Sequence, residues 1–121
     1  MATLLVNAGK AIVTSRINGT GTAPAYVAWG TGAGTTAATD TTLFTETGTR
    51  VLGTGSQVTT SVTNDTYQVV GTQTAGGALA ITNAGLFDAL TTGNLFVKGD
   101  FSTINLTTGD SIQFTFKTQF S

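Results

Sequence analysis

Along much of the chain, apolar and polar residues alternate in short runs separated by breaks rich in Gly, Asn and Thr. The clearest run is the last, "GDSIQFTFKTQFS". Ile112, Phe114, Phe116 and Phe120 fall on one face with Thr118 as its single polar member, and Gln113, Thr115, Lys117 and Gln119 fall on the other. A period of two marks a half-buried β-strand. Upstream, Val58, Thr60 and Val62 alternate within "SQVTTSVTN", and an Asn64-Asp65 turn would fold that run back onto "DTYQVVGTQT". Leu79 and Ile81 begin another strand, which Gly85 would break or bulge. "GNLFVKGDFSTINL" supplies one more, and nearer the start "PAYVAWGTG" sets Val27 and Trp29 against Tyr26 and Ala28.

Two stretches depart from this pattern. "NAGKAIVTSRING" reads as a short helix, with Asn7 as its cap and Asn18-Gly19 as its stop. Its Ile12, Val13, Thr14 and Ile17 would suit a strand as well. Gly30 to Arg50 reads as a long Gly- and Thr-rich loop. The expectation is an all-β chain: an antiparallel β-sandwich, jelly-roll-like, with a short N-terminal helix or arm. Residues 1–121 form a single domain, with the arm in 1–20 and the sandwich in 21–121. Open sheets leave edge strands that monomers guard with charge, Pro or bulges. Here Lys117 alone guards the last strand, and the one Pro, Pro24, is far from it.

Composition narrows the chemistry. At 121 residues the chain can bury roughly 65% of its unfolded surface, enough for one core without staples. It has no Cys and no His. Disulfides, thiolate metal sites and the commonest general base are therefore missing. Charged residues make up 9% of the chain and the net charge is −1, and Thr supplies roughly a quarter of all positions. So little self-repulsion suits a surface largely covered by neighbours. Lys10, Arg16, Arg50, Lys98 and Lys117 are scattered singly, so no nucleic-acid footprint forms. No apolar run approaches a membrane span, and "MATLLVNAGK" does not read as a secretory signal. The expected location is the cytoplasm or something assembled there.

No active site can be assembled from what remains. Of the six carboxylates, Asp65 and Asp110 sit in "NDT" and "GDS" contexts, where Asp organises turns. Asp40 and Glu46 near Arg50 suggest an ion pair pinning the long loop. "GTGAG" lacks the Lys and Ser/Thr of a phosphate loop and the spacing of a dinucleotide loop. The sequons at Asn18, Asn64 and Asn105 are about what chance supplies in so Thr-rich a chain. Trp29, Phe87, Phe96 and Phe101 belong by default to the core. A small carbohydrate-binding module using Trp29 and Tyr26 is the alternative from another functional class. No metal, cofactor or catalytic residue is expected.

The second half, "ITNAGLFDALTTGNLFVKGDFSTINLTTGDSIQFTFK", resembles a segment of small virion proteins of tailed bacteriophages, with a G-L-F-D-A phrase, a G-N-L-F strand and a closing G-D-S-I-Q-F-T strand. In the first half, "AYVAWGTGAGTTAATDTTLFTETGTR" is similar to the W/L-G-T-G…D-T-x-L…E…R phrase of the same proteins. The resemblance spans about Asn7 to the end. It implies a non-enzymatic virion structural protein, most simply a capsid decoration (cement) protein on the shell surface. Its implied partners are itself, as a homotrimer, and the major capsid protein. The alternative within the resemblance is a tail-fibre or baseplate-associated adaptor that binds tail proteins. Gln113, Thr115, Lys117 and Gln119 would then form a contact face toward another copy or the shell, with the segment Met1 to Ile17 or the loop Gly30 to Arg50 as the other expected contact to the shell.

Overall fold

The computed structural model describes residues 3–121. Its elements in chain order are β1 (Thr3–Leu5), α1 (Asn7–Ile17), β2 (Tyr26–Gly30), β3 (Glu46–Leu52), β4 (Thr54–Val58), β5 (Thr66–Thr74), β6 (Leu79–Phe87), β7 (Leu95–Leu106) and β8 (Ser111–Gln119). They make two antiparallel sheets, one ordered β1-β7-β6-β2-β3 and the other β4-β5-β8. The fold is thus the expected all-β sandwich with a short N-terminal helix. Its strands divide five and three.

Alternation places most of the core, and the irregularity opposite Leu86 and Phe87 lets the neighbours Phe96 and Val97 both join it. Val27 and Trp29 of β2, Ile81, Ala84 and Leu86 of β6, and Phe96 and Val97 of β7 face Val69 of β5 and Phe114 and Phe116 of β8. Trp29 meets Phe114 edge-on at 6.3 Å between ring centroids. Phe114 stacks on Phe116 at 5.9 Å. β3 and β4 are separated only by Gly53, so the chain passes from one sheet to the other in a single residue. A Cβ at Gly53 would lie 2.7 Å from Val69 Cγ1 and 2.8 Å from the Val70 carbonyl oxygen.

A second apolar cluster lies on the other side of the larger sheet, where Val6, Ala28, Leu43, Phe87 and Leu95 pack together. Residues 31–45 and the start of α1 cover this face. Both faces of β2 are therefore occupied, which is why Val27, Ala28, Trp29 and Gly30 are all buried.

Several local expectations need correction. Asn7 is the first helical residue of α1 rather than its cap; Val6 holds the cap position, and no side-chain hydrogen bond closes it. The C-terminal stop is as read, with Asn18 at the cap and Gly19 at φ 77°. The long loop of 30–50 is shorter, because Glu46–Leu52 forms the edge strand β3. β4 lies upstream of the alternating run, so Thr60 and Val62 belong to the β4–β5 connection, where Asn64 makes the turn at φ 59°. Gly85 sits within β6, and the irregularities in pairing flank it, between Ile81 and Asn83 and between Leu86 and Phe87. Phe120 lies beyond β8 and is 47% exposed, so it does not belong to the core face.

Candidate contact surface

The register of the smaller sheet puts three strands' polar residues on one outer face. Gln113 pairs with Thr72; Thr115 pairs with Val70, which pairs with Thr54; Lys117 pairs with Gln68, which pairs with Ser56. Gln113, Thr115, Lys117 and Gln119 are all exposed. The β4–β5 connection covers one end of this outer face, where Thr66 is 1% exposed against Thr60, and the rows of Thr54, Ser56, Thr72, Gln113, Thr115 and Lys117 beyond it are exposed. Its rows carry one ionic charge, Lys117. Gln119 is tied down at the corner, where its Nε2 donates to Ser61 Oγ at 3.0 Å and Asp65 Oδ2 at 3.2 Å. Short hydroxyls on β-branched stems have few rotamers to lose on contact, and amides both donate and accept. Such a face suits broad hydrogen-bonded docking better than recognition of one ion.

At the side of the sandwich, β1 of one sheet and β8 of the other border a cleft of about 480 Å³. Leu5, Val97, Phe101, Phe114 and Phe116 line it. Phe101, Phe114 and Phe116 are only half-buried. Among the described residues, β8 pairs with β5 alone, so its other edge is free.

Two of the charged residues, Arg50 and Lys98, are engaged inside the fold. Arg50 Nε donates to Glu46 Oε2 at 2.8 Å, and Arg50 Nη2 donates to Oε1 at 3.1 Å. The guanidinium also lies 3.5 Å from the Phe87 ring centroid and donates to the carbonyl oxygens of Ala89 and Thr92. Glu46 and Arg50 thus form a pair, but Asp40 does not join it. Asp40 is on the other side of the loop, where it accepts from Lys98 Nζ at 2.9 Å. Lys98 also donates to the Thr42 carbonyl oxygen at 2.9 Å and lies 3.3 Å from the Phe44 ring centroid. A backbone hydrogen bond from Ala37, followed by that from Lys98, holds the Asp40 carboxyl below its ordinary value of 3.8.

Lys98 and Asn83 were not legible as anchors in the sequence. Both are fully buried. Asn83 accepts from the Phe44 amide through Oδ1 at 3.0 Å and donates to the Phe44 carbonyl oxygen through Nδ2 at 3.1 Å. The only signal was a lysine within "LFVKGD", between residues that are apolar on both faces.

The remaining carboxylates organise backbone. Asp65 accepts from the amides of Thr60, Ser61 and Val62, and these bonds, Val62 and Thr60 foremost, hold its carboxyl far below the usual range. Asp110 accepts from the Thr107 amide, Asp88 from the Asn94 amide and Asp100 from the Thr36 amide. The turn roles expected for Asp65 and Asp110 are therefore present. Among the described residues, no three acidic side chains group as metal ligands would.

The aromatic platform is not there. Trp29 is 1% exposed between the sheets, and Tyr26 is half-buried, so the pair offers no stacking surface for a sugar. Compared with known protein families, with curated proteins and with solved structures, the chain matches none.

Proposed function

We propose that this chain is a virion structural protein of a tailed bacteriophage, a decoration protein that binds the assembled shell and clamps the junctions between shell subunits. It acts in more than one copy and performs no chemistry. The observation that carries the reading is the exposed outer face of the β4-β5-β8 sheet: a broad array of Thr, Ser and Gln with one charge, on a molecule whose side-chain carboxylates are all engaged by backbone amides or ion pairs. The sequence resemblance supplies the setting. Clamping needs area and hydrogen bonds rather than catalytic groups, and a ligand of the assembled state stabilises it by mass action. The face around Gln113, Thr115 and Lys117 is the one assigned to the shell. A shell under outward pressure from packaged DNA is where such a clamp is useful.

The test is the copy number of this chain in purified virions, counted by quantitative mass spectrometry against the major shell protein. A number comparable to that of the shell protein is the expected outcome. A small fraction of it would move the protein to the tail as an adaptor, and absence from virions would overturn the reading altogether.

A further inference from the structure

We infer that the free edge of β8 pairs with the same edge of a second copy, joining two chains across a two-fold axis at Thr115. This goes beyond the shell-decoration reading and does not depend on it. Three observations lead to the second copy as the occupant.

The edge is long and almost unguarded. β8 runs nine residues, Ser111–Gln119, and its only charge is Lys117. Strands of this kind that stay monomeric usually carry several charges, a Pro or a bulge. Here the nine partners on β5 follow one another from Thr66↔Gln119 to Thr74↔Ser111 without a shift in register. The edge is therefore regular, and a second strand can follow it along its whole length.

The inward row beside that edge is only half covered. Ile112, Phe114 and Phe116 are each part-exposed although they belong to the core face. The last two open into the cleft bordered by β1 and β8. An added strand would have to bring apolar side chains to that side and uncharged polar ones to the other.

β8 meets that specification itself. Thr115 is the middle residue of the strand, so antiparallel pairing about it gives the longest overlap. In that register Phe114 faces Phe116 of the second copy, and Ile112 faces Thr118. On the outer face Lys117 comes opposite Gln113, whose amide oxygen can accept from the ammonium, and Ser111 comes opposite Gln119. No like charges are opposed, and aromatic cross-strand pairs are among the favourable ones. The two three-stranded sheets become one continuous six-stranded sheet. Because each copy has one β8 edge, the contact closes at two chains. It predicts a dimer in place of the trimer that the resemblance implies.

A single cysteine tests the register, since the chain has none of its own. Residues directly opposed in an antiparallel pair have Cα atoms about 4.5–5.5 Å apart, within disulfide reach. Under mild oxidation Thr115→Cys is expected to give a covalent dimer nearly quantitatively, whereas Ser56→Cys on β4 is not. Multi-angle light scattering of the wild-type chain should read twice its 12.3 kDa mass. Thr115→Lys places like charges on the axis and should raise the dissociation constant roughly tenfold or more, with an unchanged circular dichroism spectrum. A wild-type monomer up to millimolar concentration, a trimer, or a dimer that neither cross-links in Thr115→Cys nor weakens in Thr115→Lys would each overturn the proposal.

Discussion

Lys98 is one of the residues that hold the cover of the larger sheet in place, beside Asn83 and Asp100. Its side chain is fully buried, and its ammonium is held by Asp40, the Thr42 carbonyl oxygen and the Phe44 ring, all in the segment 31–45. Removing it leaves Asp40, which is part-exposed and can regain water, so the loss is smaller than for a pair buried on both sides. Lys98→Met is expected to cost about 1–3 kcal/mol in denaturant unfolding. It should also release amide protection in 31–45 while sparing β5 and β8, as read by hydrogen exchange. The carboxylates set the pH dependence. Asp40 and Asp65 titrate below their ordinary value of 3.8 in the folded protein, so the stability they contribute is present above about pH 4 and is lost as pH falls through their folded values. Thermal midpoints between pH 7 and pH 2 should show this loss only at the acid end, and Asp65→Asn should flatten it. With no histidine, no side chain in its ordinary state changes charge between about pH 5 and 8. Residue roles were legible where they are local. Asp65 and Asp110 serve turns within their own few residues, whereas Asp40 and Lys98 are 58 positions apart, and proximity in sequence favoured Arg50 instead.

At the scale of elements, α1 shows how a helix can be held without a strong apolar stripe. Its buried residues are Gly9 and Ile12. Gly9 lets the helix backbone lie directly against β7, since a Cβ there would collide with the Phe96 carbonyl oxygen and crowd Leu5 Cδ1. Gly9→Ala would improve helix propensity and yet is expected to destabilise the fold by about 1–3 kcal/mol, the usual cost of overpacking. A lowered thermal midpoint checks this, and an increase would mean that the helix is free to shift. The same view explains which strands could be read. β5, β6 and β8 bury one face regularly or carry a clear apolar run. β3 escaped because it is an edge strand, mostly exposed, and interrupted by Gly48 at φ 70°. β4, "TGSQV", has no apolar residue before Val58, while the alternation of Val58, Thr60 and Val62 continued past its end into a turn that Asp65 closes.

For the whole molecule, period-two patterning was sufficient for a sandwich because β5 and β8 turn every second residue inward, although β2, β6 and the start of β7 bury consecutive residues. It could not show which outer face the chain covers for itself, since that depends on contacts between distant segments. The candidate face on β8 was legible as a strand face. Its neighbours Thr54, Ser56, Gln68 and Thr72 were not, because only the register brings them beside it. A contact made by that face rests on hydrogen bonds and one Lys. Its strength should change less than about threefold between about 0.05 and 0.5 M NaCl, because screening acts on few charges. Cosedimentation with shells measures this directly, and a steep fall with salt would move the contact to another surface.

The unequal treatment of the two sheets has one more consequence. The five-stranded sheet is covered over its outer cluster by residues 31–45 and the start of α1, and the three-stranded sheet is left bare along most of its outer face. A molecule finished on one flank alone has a front and a back, as a tile does. If the bare flank is the one that meets the shell, as proposed above, every copy would be set the same way up, with the side already glazed by its own loop turned outward.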